Sequence, residues 1–474
     1  MVPSPLRPFL GPMLAVLTVN LAAPCARGDG GIHTLISFNL SNGNQPSTGL
    51  VQGPDGAFYG TSQTGGSYNH GTVFKIASNG AFTNLLSFSG ITGPYPGANP
   101  AGNLVLGVNG NFYGTTESGG ASNNGTLFEM TPTGGFTNLI SFTGTNGVYP
   151  GGYSTAGLVL GTNGSLYGTT QSGGTNDPAD GGDGTIFQLA TNGVFTSLVS
   201  FSGTNGAWLG ANPGGSLVLG TDGNLYGTTE YGGTNDLANG GDGTIFRITA
   251  AGVFASLFSF NTTNGANPQA GLVQAGNGSL NGTTYNGGSN ALGTVFKMTP
   301  PGLLTSLLSF NNANGANPQA GLMQGLDGDL YGTTKSGGTS NFGTVFQITP
   351  AGRFTSLGSF ANTNGAYPVA GLIQGNDGNF YGTTASGGTN YAYGTVFRFT
   401  PPPLFLMQWQ TNGAFAFTWS TATGQTYQVQ FITALGRTNW SNLGSALPAT
   451  NATTTAADSL GTNQQRFYRV ELEP

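Results

Sequence analysis

One pattern recurs seven times along this chain. A chain that repeats a unit of about 50 residues has to bury the apolar face of each unit against its neighbours. A Ser-Phe pair ends at Phe38, Phe88, Phe142, Phe201, Phe260, Phe310 and Phe360, at intervals of 50, 54, 59, 59, 50 and 50 residues. Between these pairs stands Tyr-Gly-Thr-Thr, at Tyr59 (as Tyr-Gly-Thr-Ser), Tyr113, Tyr167, Tyr226, Tyr331 and Tyr381, with Asn281 in place of Tyr in the fifth copy. Gly-Thr-Val-Phe, or its Leu and Ile variants, follows from Gly71, Gly125, Gly184, Gly243, Gly293, Gly343 and Gly394.

Each unit reads as four short strands. In 320–360 these are Gly-Leu-Met-Gln, Leu-Tyr-Gly-Thr-Thr, Gly-Thr-Val-Phe-Gln-Ile and Phe-Thr-Ser-Leu-Gly-Ser-Phe, each bounded by turn residues. Asp-Gly pairs at Asp55, Asp222, Asp327 and Asp377, and Asn-Gly pairs at Asn109, Asn163 and Asn277, supply residues that tolerate positive φ in the hairpin between the first two strands. Four strands per unit predict the radial blades of a seven-bladed β-propeller over residues 32–400. The phase of the series predicts how it closes. It begins with a lone fourth strand, 32–38, and ends with a unit whose third strand, 394–399, runs into Pro401-Pro-Pro403. Pairing the two would complete the seventh blade and leave no edge strand open.

The repeat disappears after the Pro linker at 401–403. In 404–474 four alternating segments, around Trp409, Trp419, Tyr427 and Phe467, predict a small β-sandwich in which Trp409, Trp419, Trp440 and Phe467 are core aromatics.

Composition says where such a protein works. With 85 Gly and only 6% charged residues, its polar surface must come from Asn, Thr, Ser and Gln, which suits the outside of a cell. The net charge of −6, with no basic stripe, argues against nucleic acid. Residues 1–26 have the layout of a secretory signal: Arg7, an apolar stretch from Phe9 shorter than a membrane span, then Ala22, Ala23 and Ala26. Cleavage is expected after Ala23 or Ala26, and Pro24 beside Cys25 fits a lipoprotein site poorly. Cys25 is the single cysteine, so the mature chain is expected to have no disulfide and no transmembrane segment, and to be a secreted or cell-surface monomer.

The segment from Ala370-Gly-Leu-Ile-Gln to Tyr381-Gly-Thr-Thr, continuing through Gly387-Gly and Gly394-Thr-Val-Phe, resembles the Gloeo/Verruco tandem repeat of exported bacterial proteins, over about residues 32–400. The C-terminal segment, with Tyr427-Gln-Val-Gln, Asn439-Trp440 and Arg466-Phe-Tyr-Arg-Val, looks like a fibronectin-type module. The resemblance implies export and an extracellular role. It brings no biochemical activity with it.

Candidate sites lie where the copies disagree. In an antiparallel blade the loops after strands two and four emerge on one side, and these are the long, variable ones. On that face Tyr95, Tyr149, Tyr153, Trp208 and Tyr231 could stack on sugar rings among Asn and Thr, or else pack between blades. The repeated Tyr of Tyr-Gly-Thr-Thr is read as structural. After this motif comes a variable slot: Gln63, Glu117, Gln171, Glu230, Tyr285, Lys335 or Ala385. Glu117 and Glu230 could act as the paired carboxylates of a glycoside hydrolase, or be solvated rim residues. Asp177, Asp180, Asp183, Asp236 and Asp242, in two enlarged loops, could wrap calcium, although their spacing fits no EF-hand and solvated turns explain the same residues. No other cofactor is expected, since His33 and His70 are the only histidines. Three functions stand open: a non-catalytic module binding glycans or a cell-surface protein through the long-loop face, a secreted carbohydrate-active enzyme, and a structural envelope or matrix protein.

Overall fold

The computed structural model describes residues 31–176, 181–299, 302–389, 393–403, 405–411, 414–433, 439–451, 453–459 and 466–473. Residues 1–30, with the expected export signal and Cys25, lie outside this set, as do Asp177 and Asp180 and the side chain of Trp409. The chain divides into two compact units, one ending at Thr400 and the other beginning at Pro401.

The first unit is all-β and propeller-like. Its strands form seven four-stranded antiparallel sheets, and the only helix among the described residues is a 3-10 turn at Leu237–Asn239. Six sheets are consecutive in sequence, spanning 51–87, 105–141, 159–200, 218–259, 273–309 and 323–359. The seventh combines Ile373–Gln374, Phe380–Thr384 and Thr395–Phe399 with Ile32–Ser37 from the other end of the unit. The pairing is antiparallel, from Ile32↔Phe399 to Ser37↔Thr395, and Phe38 N–H donates to Gly394 O at 2.9 Å. The innermost strand is shorter than the pattern suggested. In the sixth sheet only Met323–Gln324 pair, because the preceding Leu322 turns into the core between sheets.

Each constant residue of the repeat has a packing role. In all seven sheets the last residue of Tyr-Gly-Thr-Thr shares a hydroxyl–hydroxyl bond of 2.8–2.9 Å with the Thr of Gly-Thr-Val-Phe, both fully buried, as in Ser62–Thr72 and Thr384–Thr395. A buried hydroxyl without a partner costs about 1–3 kcal/mol, so two threonines facing each other across strands settle each other's need. The third residue of the motif links sheets. Thr228 Oγ1 donates to Ala270 O at 2.9 Å and Thr283 Oγ1 to Ala320 O at 3.1 Å. Thr383 Oγ1 of the seventh sheet donates to Thr48 O ahead of the first, at 2.8 Å.

The motif tyrosine also joins neighbouring sheets. Tyr59 lies against Phe112 with ring centroids 4.2 Å apart, Tyr331 against Phe380 at 4.6 Å, and Tyr381 of the seventh sheet against Phe58 of the first at 4.0 Å. Its hydroxyl donates to the turn aspartate, at 2.9 Å for Tyr59–Asp55 and 2.6 Å for Tyr381–Asp377. The aspartates are therefore acceptors as well as turn formers. Within the turn only the glycine takes positive φ: Gly56 is at +77°, its N–H donates to Gly53 O, and Asp55 keeps φ negative. This is a type I turn closed by a glycine bulge, which twists with the strands as a hairpin requires.

The second unit comprises two antiparallel sheets. One holds Phe405–Thr411, Ala414–Ser420 and Thr453–Ser459; the other is built on Thr426–Ile432, which pairs with Ser441–Asn442, Leu447–Pro448 and Phe467–Leu472. One core serves both, with Phe417 and Trp419 from the first sheet and Tyr427, Val429 and Tyr468 from the second. Trp419 and Phe467 are buried, whereas Trp440 is partly exposed and carries the Arg469 guanidinium 4.4 Å from its ring centre.

Candidate functional site: a polar cavity ringed by the repeat

A cavity of about 280 Å³ is lined by residues from all seven repeats. Its wall is the short segment leading into each innermost strand, such as 269–271 in the fifth sheet and 319–321 in the sixth, topped by the slot residues Gln63, Gln171 and Glu230. The first strand begins and the second ends on the same side, so the cavity opens on the long-loop face.

The polar side chains of the wall are amides and hydroxyls set among Gly, Ala and Val369, with Glu230 as its one ionisable side chain. Gln269 Nε2 donates to Glu230 Oε1 at 2.8 Å, which points the amide oxygen of Gln269 the other way. That oxygen, together with Gln319 Oε1 and Thr155 Oγ1, is buried without a protein partner. Buried polar atoms are nearly always bonded, so three orphans in one wall call for explanation.

Glu117 holds the slot position of the second sheet. It is partly buried and in no ion pair among the described residues, and desolvation raises its carboxyl above the ordinary value of 4.5. A raised acid pKa means that the folded state holds the proton more tightly than the unfolded one. Stability is therefore lost as pH rises from the unfolded value through the folded one, and the penalty is complete above it. Glu117→Gln is expected to raise the midpoint of thermal unfolding at pH 7–8, by roughly 1–2 °C, with the gain vanishing at acidic pH. Melting curves of both proteins from pH 4 to 8 check this, and equal midpoints at pH 8 would contradict it.

The five aromatic candidates divide into two groups. Tyr95 and Tyr149 turn edge-on against Phe136 and Phe195, at 5.6 and 5.4 Å, and pack against the cores between sheets. Tyr153, Trp208 and Tyr231 are exposed. Burial and the Glu230 carboxylate push the Tyr231 hydroxyl up, which places Tyr231 beside the cavity's acid.

Tyr153 also has an unusual backbone. The equivalent positions Gln45, Asn99, Tyr153, Asn212, Asn267, Asn317 and Tyr367 all have φ between 52° and 56°. Four of them are Asn, and each caps the slot carbonyl of the preceding sheet, as Asn267 Nδ2 does for Glu230 O at 3.2 Å. Asn tolerates this left-handed conformation, whereas a bulky Tyr is an outlier there. Tyr153 and Tyr367 are thus exposed rings on a disfavoured backbone, and the sequence pattern Gly-Ala-Asn-Pro, broken at Gln45, Tyr153 and Tyr367, carries the signal for Tyr367. At the slot position of the fifth sheet, Tyr285 has the Lys335 ammonium 5.7 Å from its ring centre.

Of the acidic candidates, Asp183, Asp236 and Asp242 are among the described residues. Asp236 accepts two bonds from Asn239, and Asp242 is buried, its carboxyl raised by burial and by Asp236. Asp183 belongs to the loop of another sheet, where its carbonyl accepts from Asn212 N–H. Among the described residues no group of three or more His, Cys, Asp or Glu could hold an ion. His70 contributes its carbonyl to Asn99 N–H, and His33 lies in the strand pairing with Arg398. No helix among the described residues is long and apolar enough to cross a membrane.

Among solved structures the chain resembles a putative 6-phosphogluconolactonase from Bacteroides uniformis, at 12% identity over 84% of this chain and 98% of that one, with a TM-score of 0.46. It also resembles a puromycin hydrolase (14%, 83% and 62%, 0.44) and an ulvan lyase bound to a GlcA–Rha3S unit (11%, 76% and 94%, 0.44). No curated protein matches the chain. The family model of the Gloeobacter/Verrucomicrobia repeat matches residues 95–239 and 236–439, well over half of the sequence, and the chain belongs to that repeat family.

Proposed function

We propose that the seven sheets are the blades of one closed, seven-bladed propeller, and that the protein is an exported, non-catalytic module that binds a glycan at the central cavity of its long-loop face. Closure is supported by the bonds and ring contacts between the seventh and first sheets, which repeat those between other neighbours. The binding reading is carried by one observation: the polar side chains of the cavity wall are, Glu230 apart, amides and hydroxyls, and three of its buried polar atoms have no protein partner. A polyhydroxylated ligand offers donors and acceptors to such a wall, and the exposed rings of Tyr153, Trp208 and Tyr231 supply stacking surface around it.

The test is a glycan array probed with the full chain lacking its signal, followed by titration of the ligands found. Gln319→Leu is expected to weaken binding at least tenfold. Because it removes an amide oxygen that is buried without a protein partner, it is expected to leave the melting temperature unchanged or higher, and an unchanged midpoint then separates a loss of binding from misfolding. A silent array, or a Gln319→Leu protein that binds normally, would sink the reading.

A second reading, a secreted carbohydrate-active enzyme, is favoured by the Glu117 carboxyl, since a carboxyl whose pKa is raised by desolvation suits a general acid. It requires release of reducing ends from a polysaccharide, abolished by Glu117→Gln.

A further inference from the structure

We infer that the glycan taken by the cavity carries free amino groups: an amino sugar in its ammonium form, in preference to a neutral, N-acetylated or acidic one. This rests on the glycan reading above and narrows it.

The inference comes from the balance of charge and of hydrogen-bonding roles in the wall. None of the residues lining the cavity is Lys, Arg or His. Glu230 is in no ion pair among the described residues; the ion pairs found there are Lys75–Asp55, Arg466–Asp458 and Arg469–Glu471. The only cation in a slot position, Lys335, is in the sixth sheet and lies over the Tyr285 ring. A second carboxyl, Glu117, occupies the slot two sheets before Glu230, outside the residues that line the cavity.

The amide orientation strengthens the bias. Amide oxygen and nitrogen are often interchangeable, but here the nitrogen of Gln269 is held by the Glu230 carboxylate, and turning the amide over would set oxygen against oxygen. The fifth sheet therefore contributes an acceptor, Gln269 Oε1, beside the acid of the fourth. An ammonium group has three donors and no acceptor, and carries the compensating charge. It can meet the carboxylate and the amide oxygen together, with a small adjustment of the Gln269 side chain to uncover that oxygen. A hydroxyl has one donor to give. A uronate or sulfate would bring a second negative charge into a wall that has no cation to meet it.

The experiment is calorimetric titration of the full chain lacking its signal at pH 6, using glucosamine oligomers, N-acetylglucosamine oligomers and oligogalacturonate of equal length. The glucosamine oligomer is expected to bind at least tenfold more tightly than the acetylated one, with no measurable binding of oligogalacturonate. In Glu230→Gln that preference should fall to about threefold or less, with the thermal midpoint reporting that the protein is folded. Equal or tighter binding of the acetylated oligomer, or binding of oligogalacturonate, overturns the inference and leaves the glycan reading standing. A tenfold preference that survives Glu230→Gln also overturns it. If none of the three binds while the array finds another sugar, the inference alone fails; if the array too is silent, both fail.

Discussion

A chain starting at Asn39, without the strand Ile32–Ser37 and Phe38, is expected to lose cooperative folding of the repeat unit and to aggregate, where a chain starting at Gly31 is expected to stay monodisperse. The strand is the fourth of the seventh sheet, and its removal bares the whole edge of Thr395–Phe399. That strand is apolar on both faces, with Val396 buried in the core shared with the first sheet and Phe397 and Phe399 in the core shared with the sixth, and an open apolar edge is a template for pairing with another chain. Phe38 makes the loss larger. It is fully buried, lies 5.2 Å from Phe74 and 5.8 Å from Phe82, and ties the closing strand to the core of the first sheet. Phe38→Ala alone is expected to cost about 3–5 kcal/mol, the usual range for emptying a buried phenylalanine site. Thermal unfolding by circular dichroism and size-exclusion chromatography measure both effects. A monodisperse truncated protein with an unchanged midpoint would mean that the two ends of the repeat do not hold each other.

The strand arrangement was legible because the repeat states it seven times. Any one copy is ambiguous, but the order of Tyr-Gly-Thr-Thr, Gly-Thr-Val-Phe and Ser-Phe leaves room for four strands and little else. The unmatched strands at the two ends pointed to the pairing of Ile32–Ser37 with Thr395–Phe399. What the motif residues touch was not legible. A threonine pair such as Thr229–Thr244 depends on register, and residues 15 apart in sequence carry no mark of it. The aromatic loop residues show a similar limit. Tyr149 and Tyr153 stand four residues apart in one loop, yet the first turns against Phe195 and the second is held outward by a left-handed backbone. The cavity was harder still. Most of its wall is Gly, Ala and backbone, residue types that signal no chemistry, and only the variable slot at Gln63, Gln171 and Glu230 marked its rim.

Substituting the glycine of Tyr-Gly-Thr-Thr is the second change expected to have a large effect, and it bears on why a chain with 85 glycines is not a loose one. At Gly227 a Cβ would lie 2.5 Å from Phe246 Cζ and 2.8 Å from Leu217 Cδ2, both closer than real Cβ contacts allow. Neither neighbour can easily yield. Phe246 is fully buried, edge-on to Phe201 at 5.4 Å and stacked on Phe254 at 5.6 Å, and Leu217 is buried at the neck of the innermost strand. Gly227→Ala is therefore expected to destabilise by about 1–3 kcal/mol through overpacking, and Gly227→Val by more. The same contact recurs at Gly60, Gly114, Gly168, Gly282, Gly332 and Gly382, each with its own Phe and Leu, so the glycine is the space into which the Phe of Gly-Thr-Val-Phe fits. A cycle with Phe246→Leu isolates the effect: if the ring is what the new methyl strikes, the double variant should lose less than the two single losses together. Strict additivity in denaturant melts, or a Gly227→Ala protein as stable as its parent, would show that the glycine is not held in place by the ring.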